Sequence, residues 1–346
     1  MKEFGSDFHK CDSDFQGASN YFDVLGDVRL YASGRHAIEA ILKYGGWKRI
    51  WIPAYFCYEV IGYIKSIGIE VCLYDDFPLC ENENEIIYNL PYRKGDVLFR
   101  MNYFGFRRKR SNKNIAVPVI EDHTHGVISC WALKSDADYC IVSLRKSLPI
   151  AAGGILWSPK QFELPKQIEE SVACRKMAEM RFDAMKLKAV YLREGGDKNI
   201  FRDKYIESEE CIDSLSLTGM DCESEKIVRG MNIKLWLDLK RDNWYIAKGL
   251  LDRRFCILES TEDDLWYPFS LTLLCESNAE RERLRKYMIG NCIYPAILWE
   301  LPDNSLFFKA KDFSDRMLSV HCDARYSRND IYQMCNLLNK FYDTNI

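Results

Sequence analysis

Apolar positions in this chain cluster into short β-branched runs that alternate with stretches of helical period. Residues 49–53 (RIWIP), 69–74, 96–104, 117–120, 139–144 and 154–157 read as strands, several of them apolar without a break. Between them, residues 33–42 (SGRHAIEAIL) place Ala37, Ile38 and Ile41 on one helical face behind a Ser33-Gly34 start, and residues 58–67 read as a second helix. Alternation of this kind predicts an α/β fold with a mainly parallel sheet covered by helices on both faces. Residues 160–198 are rich in Glu, Lys, Arg, Met and Ala and read as helical, whereas 197–216 is polar with the least defined pattern. A helix over 235–253 then leads into a different region. Strands are expected there at 254–258, 266–274 and 306–309, and helices at 280–287 and 328–341. These elements predict a large domain over 1–235 and a smaller C-terminal α+β domain over 236–346.

Composition narrows the class. With 346 residues, 47% of them hydrophobic and 13% aromatic, the chain can bury a sizeable core. A formal net charge of -3 gives no general nucleic-acid signature, and the basic cluster Arg107–Arg110 is short enough to be a solvated loop. The fourteen cysteines include no C-x-x-C pair and fall within apolar runs, which predicts buried free thiols. The N-terminal residues MKEFGSDFHK lack an apolar signal region, and no run of about eighteen apolar residues occurs. A soluble, cytoplasmic protein in a reducing compartment is expected.

Four pieces of sequence carry candidate chemistry. Lys146 lies between the strand-like run 139–144 and the Gly153-Gly154 turn. A lysine at the end of a buried strand can lose solvation, lower its pKa and form a Schiff base with an aldehyde cofactor; the plain alternative is a solvated loop charge. Ser33-Gly34-Arg35 opens a helix, where backbone N–H groups receive an anion or where the serine is only a cap. In IEDHTHG (120–126), Asp122 follows a strand and can hold a pyridine nitrogen protonated, with His125 within reach of the same ring. Asp122 as a helix cap, or a cation held by Asp122, His123 and His125, are the alternatives. Alternation along an extended segment sends these neighbours apart, so no metal is expected. Ser143 can donate to a phosphate, and Gly230-Met231-Asn232-Ile233-Lys234 offers an amide and an amine ahead of the next helix.

Taken in order, SGRHAIEAIL, IPAYFCYEVIGYIKSIGIEVCLYDD, VIEDHTHG, SLRKSLPIAAGG, GMNIKL, CIYPAILWELP and DARYSRNDI resemble the motifs of the DegT/DnrJ/StrS group of sugar aminotransferases, fold type I enzymes that depend on pyridoxal 5'-phosphate. The resemblance spans most of the chain. It implies that Lys146 binds the cofactor aldehyde, that Asp122 pairs with the ring nitrogen and that His125 lies near the ring hydroxyl. It further implies that Gly34, Arg35 and Ser143 hold the phosphate, and that Asn232 and Lys234 reach the cofactor of a neighbouring subunit in a homodimer. The implied reaction moves an amino group from glutamate to a nucleotide-linked keto-sugar in surface polysaccharide or amino-sugar biosynthesis. The alternatives are a sugar dehydratase of the same fold, a type that commonly has histidine in place of the lysine, and a cofactor-binding relic without turnover. Arg35 stands where Thr or Ser is usual, Cys57 where an aromatic residue usually stacks on the ring, and the lysine loop is short. Phe56, Tyr58 or Cys57 itself are candidates for the stacking role. Tyr103, Tyr294, Trp299 and Arg325 are equally plausible as substrate contacts or as packing residues.

Overall fold

The computed structural model describes residues 3–11, 15, 17, 21–260 and 266–343. Its centre is a seven-stranded sheet of β1 (Val28–Tyr31), β2 (Arg49–Pro53), β3 (Glu70–Tyr74), β4 (Asp96–Met101), β5 (Val119–Asp122), β6 (Tyr139–Ser143) and β7 (Gly154–Trp157). The spatial order is β1-β7-β6-β5-β4-β2-β3, and only β7 runs against its two neighbours. Strands β2, β4, β5 and β7 are buried along their whole length, which explains their largely apolar sequences.

Helix α1 (Gly34–Gly45) starts where the Ser33 side chain accepts from the backbone N–H of His36, and it stops at Gly46, whose φ of 64° suits glycine. Helix α2 (Tyr58–Ser66) follows β2 with Cys57 at its cap position. In the C-terminal region, Leu271–Leu274 pairs antiparallel with Met317–Val320, and helices Ile233–Leu250, Asn278–Gly290, Phe308–Arg316 and Arg328–Asp343 complete it. The N-terminal strand Phe4–Gly5 crosses to this region and pairs with Ile293–Tyr294. Among the described residues, no helix is long and apolar enough to cross a membrane.

Several expected elements change. Helix α3 begins at Val172 and runs to Glu194, so the segment from 161 to 171 is not helical. Pro165 interrupts the helical pattern there, and Gln167 instead uses its side-chain amide to pair with the backbone of Leu30 on edge strand β1. The polar stretch 197–216 forms helix α4 (Asn199–Ser214), which buries Phe201, Tyr205, Ser208 and Ile212, spaced by four, three and four residues, against α3. Residues 306–309 lead into the helix Phe308–Arg316, and 254–258 contribute only a bridge from Ile257 to Leu273. Strands Val28–Tyr31 and Met317–Val320 were not expected.

The basic cluster is only half solvated. Arg107 is buried and holds Asp76 through two hydrogen bonds of 2.8 and 2.6 Å, while Arg108 and Lys109 are exposed. Arg100 grips Glu83 with two bonds of 2.9 Å, and Arg110 reaches the same carboxylate at 3.5 Å. Six of the fourteen cysteines are buried, but Cys222 and Cys256 are exposed.

Candidate active site

The parallel strands end on one side of the sheet, where their connecting loops leave a cavity of about 120 Å³. Met101 ends β4, Asp122 ends β5, Ser143 ends β6, and α1 opens at Gly34 beside them; all four line the cavity. Of the residues singled out in the sequence, Gly34, Arg35, Cys57, Asp122, His125, Ser143 and Lys146 come together here, with Phe56. Asn232 does not line it. Its side chain caps the helix Ile233–Leu250 by accepting from the N–H of Leu235, and its own N–H donates to the carbonyl of Phe15. Lys234 is paired with Asp238 at 2.6 Å.

Lys146 sits in a single helical turn, Leu144–Lys146, that follows β6 directly. Its side chain reaches solvent through the cavity mouth, yet protein crowds the amine closely. Loss of solvation, followed by the neighbouring Arg145 guanidinium, holds its pKa below the usual lysine value. Among the described residues the amine makes no hydrogen bond or ion pair. Asp122 is buried and accepts from the N–H of Thr124 at 2.8 Å; burial pushes its carboxyl up to about 6. Burial also raises the thiol pKa of Cys57, which the nearby Lys146 partly offsets.

His125 is wedged in an aromatic pile. Its ring lies 4.1 Å from Phe269, 5.0 Å from Phe104 and 5.3 Å from Trp299, all nearly parallel. Nδ1 accepts from the N–H of Phe104 at 3.3 Å, so Nε2 carries the proton of the neutral ring. Burial, then Lys146, pushes its pKa down to about 3. Phe104 takes a left-handed φ of 51° to make this contact, which ends β4 earlier than the apolar run suggests.

His123 lies outside the cavity and pairs with Glu121 at 3.1 Å and with Asn102 at 3.2 Å. Glu121, His123 and Cys140 do approach within 4.8 Å of one another. Asn112 and Ser135 also donate to that carboxylate, so protein hydrogen bonds already satisfy the group.

Sequence reasoning did not find Thr124, Arg145, Glu209, Phe269 and Leu298, which also line the cavity. Glu209 comes from α4, the element whose pattern was least defined, and it pairs with Arg145 through both carboxylate oxygens. Arg35 lines the cavity, and Asp213 of α4 pairs with its guanidinium. Of the four ambiguous residues, Trp299 lines the cavity. Tyr103 donates to the carbonyl of Tyr55, Tyr294 accepts from Lys198, and Arg325 is bound to Asp323.

The chain has a mostly parallel seven-stranded sheet with one reversed strand, and Lys146 lies just beyond the strand next to the reversed one. Solved sugar aminotransferases of the DegT/DnrJ/EryC1/StrS type share that fold with this chain. Helicobacter pylori PseC, an aminotransferase involved in the biosynthesis of pseudoaminic acid, matches with a TM-score of 0.65 and 10% identity over 99% of this chain and 100% of its own. The aminotransferase TlmJ from Streptoalloteichus hindustanus gives 0.64 and 11% over 96% and 92%. A DegT DnrJ EryC1 StrS aminotransferase from Brucella abortus gives 0.60 and 11% over 95% and 91%. No family model matches the sequence, and no curated protein matches it.

Proposed function

We propose that the chain is a pyridoxal-phosphate-dependent aminotransferase that transfers an amino group from glutamate to a keto-sugar, nucleotide-linked, in surface polysaccharide or amino-sugar biosynthesis. The observation that carries this reading is an amine without a hydrogen-bonding partner among the described residues, Lys146, sharing one cavity with a buried carboxyl, Asp122, at the carboxyl ends of parallel strands. Two similar structures from Streptococcus pneumoniae are the PLP form and the PMP form of one protein, which supports the choice of cofactor.

The residues present fit the cofactor. Lys146 would bind the cofactor aldehyde, Asp122 would pair with its ring nitrogen, and Ser143 with the first turn of α1 would hold its phosphate. Pyridoxal phosphate supplies the aldehyde that captures amines and the ring that takes up electron density from a substrate carbon. Because its pKa is lowered, more of Lys146 is neutral and nucleophilic at a given pH than an ordinary lysine would be. Its Nζ takes the proton that leaves the donor's α-carbon and later returns a proton as the amine passes to the acceptor. Asp122 is easily protonated while it stands alone; a cationic nitrogen beside it restores the carboxylate and is itself kept protonated. Nε2–H of His125 would be the donor toward the ring hydroxyl, since Nδ1 is already engaged. Phe56 and Trp299 wall the cavity and exclude water, and they offer aromatic faces where Cys57 does not.

In this reading the active form is a cytoplasmic homodimer with Asn232 and Lys234 turned to the partner's site. The division into a large domain over 1–235 and a smaller one over 236–346 belongs to the same proposal.

Absorbance of the purified protein with pyridoxal phosphate tests the core of the reading. Borohydride should trap the cofactor on the peptide containing Lys146, Lys146→Ala should abolish the trapped adduct, and glutamate should shift the absorbance of the wild type. Trapping on another lysine would overturn the site. Uptake without any response to amino donors would point to a relic, and a deoxy rather than an amino product from a keto-sugar nucleotide to a dehydratase.

A further inference from the structure

We propose that Thr124 is a positioning residue of this site: its hydroxyl takes the backbone N–H of Ser143 on one side and gives its own proton to the Asp122 carboxyl on the other, tying the acid to the turn that carries Lys146. The inference rests on the reading of the cavity given above, in which Asp122 faces a ring nitrogen.

The tie arises where the ladder between β5 and β6 runs out. Asp122 is level with Ile141, and the N–H of His123 still donates to the carbonyl of Ile141 at 2.9 Å. In a parallel ladder the next bond would run from the N–H of Ser143 to the carbonyl of His123. The chain turns there instead, and that carbonyl accepts from the N–H of Gly126 at 2.9 Å. Ser143 is thus left with a buried donor, and the Thr124 hydroxyl accepts from it at 2.9 Å. A hydroxyl that accepts still has one proton to give. It goes to Asp122, which already accepts from the Thr124 N–H at 2.8 Å, and the two bonds together oppose the effect of burial on that carboxyl.

Thr124 is buried and lines the cavity, so both bonds are shielded from water. A carboxyl held by two donors of one residue is fixed in orientation, and Lys146 follows the same Ser143 within one helical turn. Acid and amine therefore share one anchor. The loop itself does not depend on the hydroxyl: the carbonyl of Asp122 accepts from the N–H of Asn102 at 2.9 Å, and the His123 ring is held by Glu121 and Asn102. Removing the hydroxyl loosens the acid and leaves the loop in place.

Thr124→Val keeps the shape and removes the hydroxyl, whereas Thr124→Ser keeps the hydroxyl. Urea unfolding of the full chain without cofactor, at pH values from 4 to 8, locates the pH at which the wild type loses stability as Asp122 ionises, about 6. Loss of a bond to the carboxylate should raise that pH by about one unit in Thr124→Val and leave it unchanged in Thr124→Ser. His123 beside Asp122, and Arg35, Cys57, His125, Arg145, Lys146 and Glu209 around the cavity, are the same in all three proteins, so the shift reports the hydroxyl. Affinity for pyridoxal phosphate should fall about tenfold in Thr124→Val and not in Thr124→Ser. Equal midpoints in the wild type and Thr124→Val, or a moved midpoint with unchanged cofactor affinity, would overturn the inference. If circular dichroism shows that Thr124→Val does not fold, Thr124→Ala is compared with Thr124→Ser and the same two readings decide. A wild type that takes up no pyridoxal phosphate, alongside a moved midpoint in Thr124→Val, would sink the proposed function and leave the tie between Asp122 and Ser143 standing.

Discussion

Replacing Asp122 by asparagine should stabilise the cofactor-free protein at high pH, because the folded chain holds this carboxyl where its charge is unwelcome. Its pKa rises from 3.8 to about 6, chiefly through burial. At 1.36 kcal/mol per pKa unit, that rise corresponds to about 3 kcal/mol. The sign follows from which state binds the proton more tightly. The folded state does, so the wild type has its full stability below the unfolded pKa and loses it as pH rises through about 6. Asparagine carries no charge and can still accept from the N–H of Thr124, so the variant avoids that loss. Urea unfolding at pH values from 4 to 8 should then show Asp122→Asn more stable than the wild type by about 3 kcal/mol at pH 8, the gap closing toward pH 4. Saturating pyridoxal phosphate should reverse the order, because the carboxylate then has a cationic partner. A variant no more stable than the wild type at pH 8 would refute the argument that burial dominates at this position.

The buried ion network of Glu83, Arg100 and Arg107 should respond more severely. Glu83→Gln removes the carboxylate shared by Arg100, Arg107 and Arg110 and should cost about 3–5 kcal/mol in urea unfolding, the usual penalty for a buried charge left alone; a loss under 1 kcal/mol would mean that water or Asp76 takes over. Gly154→Ala places a methyl group 2.1 Å from the carbonyl oxygen of Ser33 and 3.0 Å from the nitrogen of Gly34. The start of α1 must then move away from β7, at a cost of about 1–3 kcal/mol and with weaker uptake of pyridoxal phosphate. An unchanged unfolding midpoint and cofactor affinity would show that this junction yields freely.

Much of the sheet was legible because its strands are buried on both faces and therefore write themselves as apolar runs, as 49–53 and 154–157 do. The edge strand Val28–Tyr31 was not, since Arg29 interrupts it and its outer partner is a side chain, Gln167, which no periodicity announces. Helix α4 hid its stripe by using Ser208 as one of four inward positions. The same lapse concealed Glu209 and Asp213. Residues at strand ends, Asp122, Ser143 and Lys146, could be placed from the chain because a parallel sheet gathers its strand ends on one side. What lies above them could not. Phe269 and Trp299 reach the cavity from 126 and 156 positions beyond Ser143; Phe269 was not singled out, and Trp299 read equally as a substrate contact or a packing residue. The solvated-loop reading of 107–110 failed for a related reason: four basic residues in a row give no sign that Asp76 and Glu83 wait, buried, some twenty to thirty positions upstream.

The pairing of Phe4–Gly5 with Ile293–Tyr294 sets a timetable for folding. On a ribosome that releases the chain from its N-terminus, the first strand emerges almost three hundred residues before its partner exists. All seven strands of the main sheet are made in between. That sheet can assemble early, whereas the clasp between the first residues and the C-terminal region closes only near the end of synthesis, over a loop so long that its closure is entropically slow. A ribosome stalled around residue 250 would therefore hold a nearly finished large sheet with its leading strand still unattached.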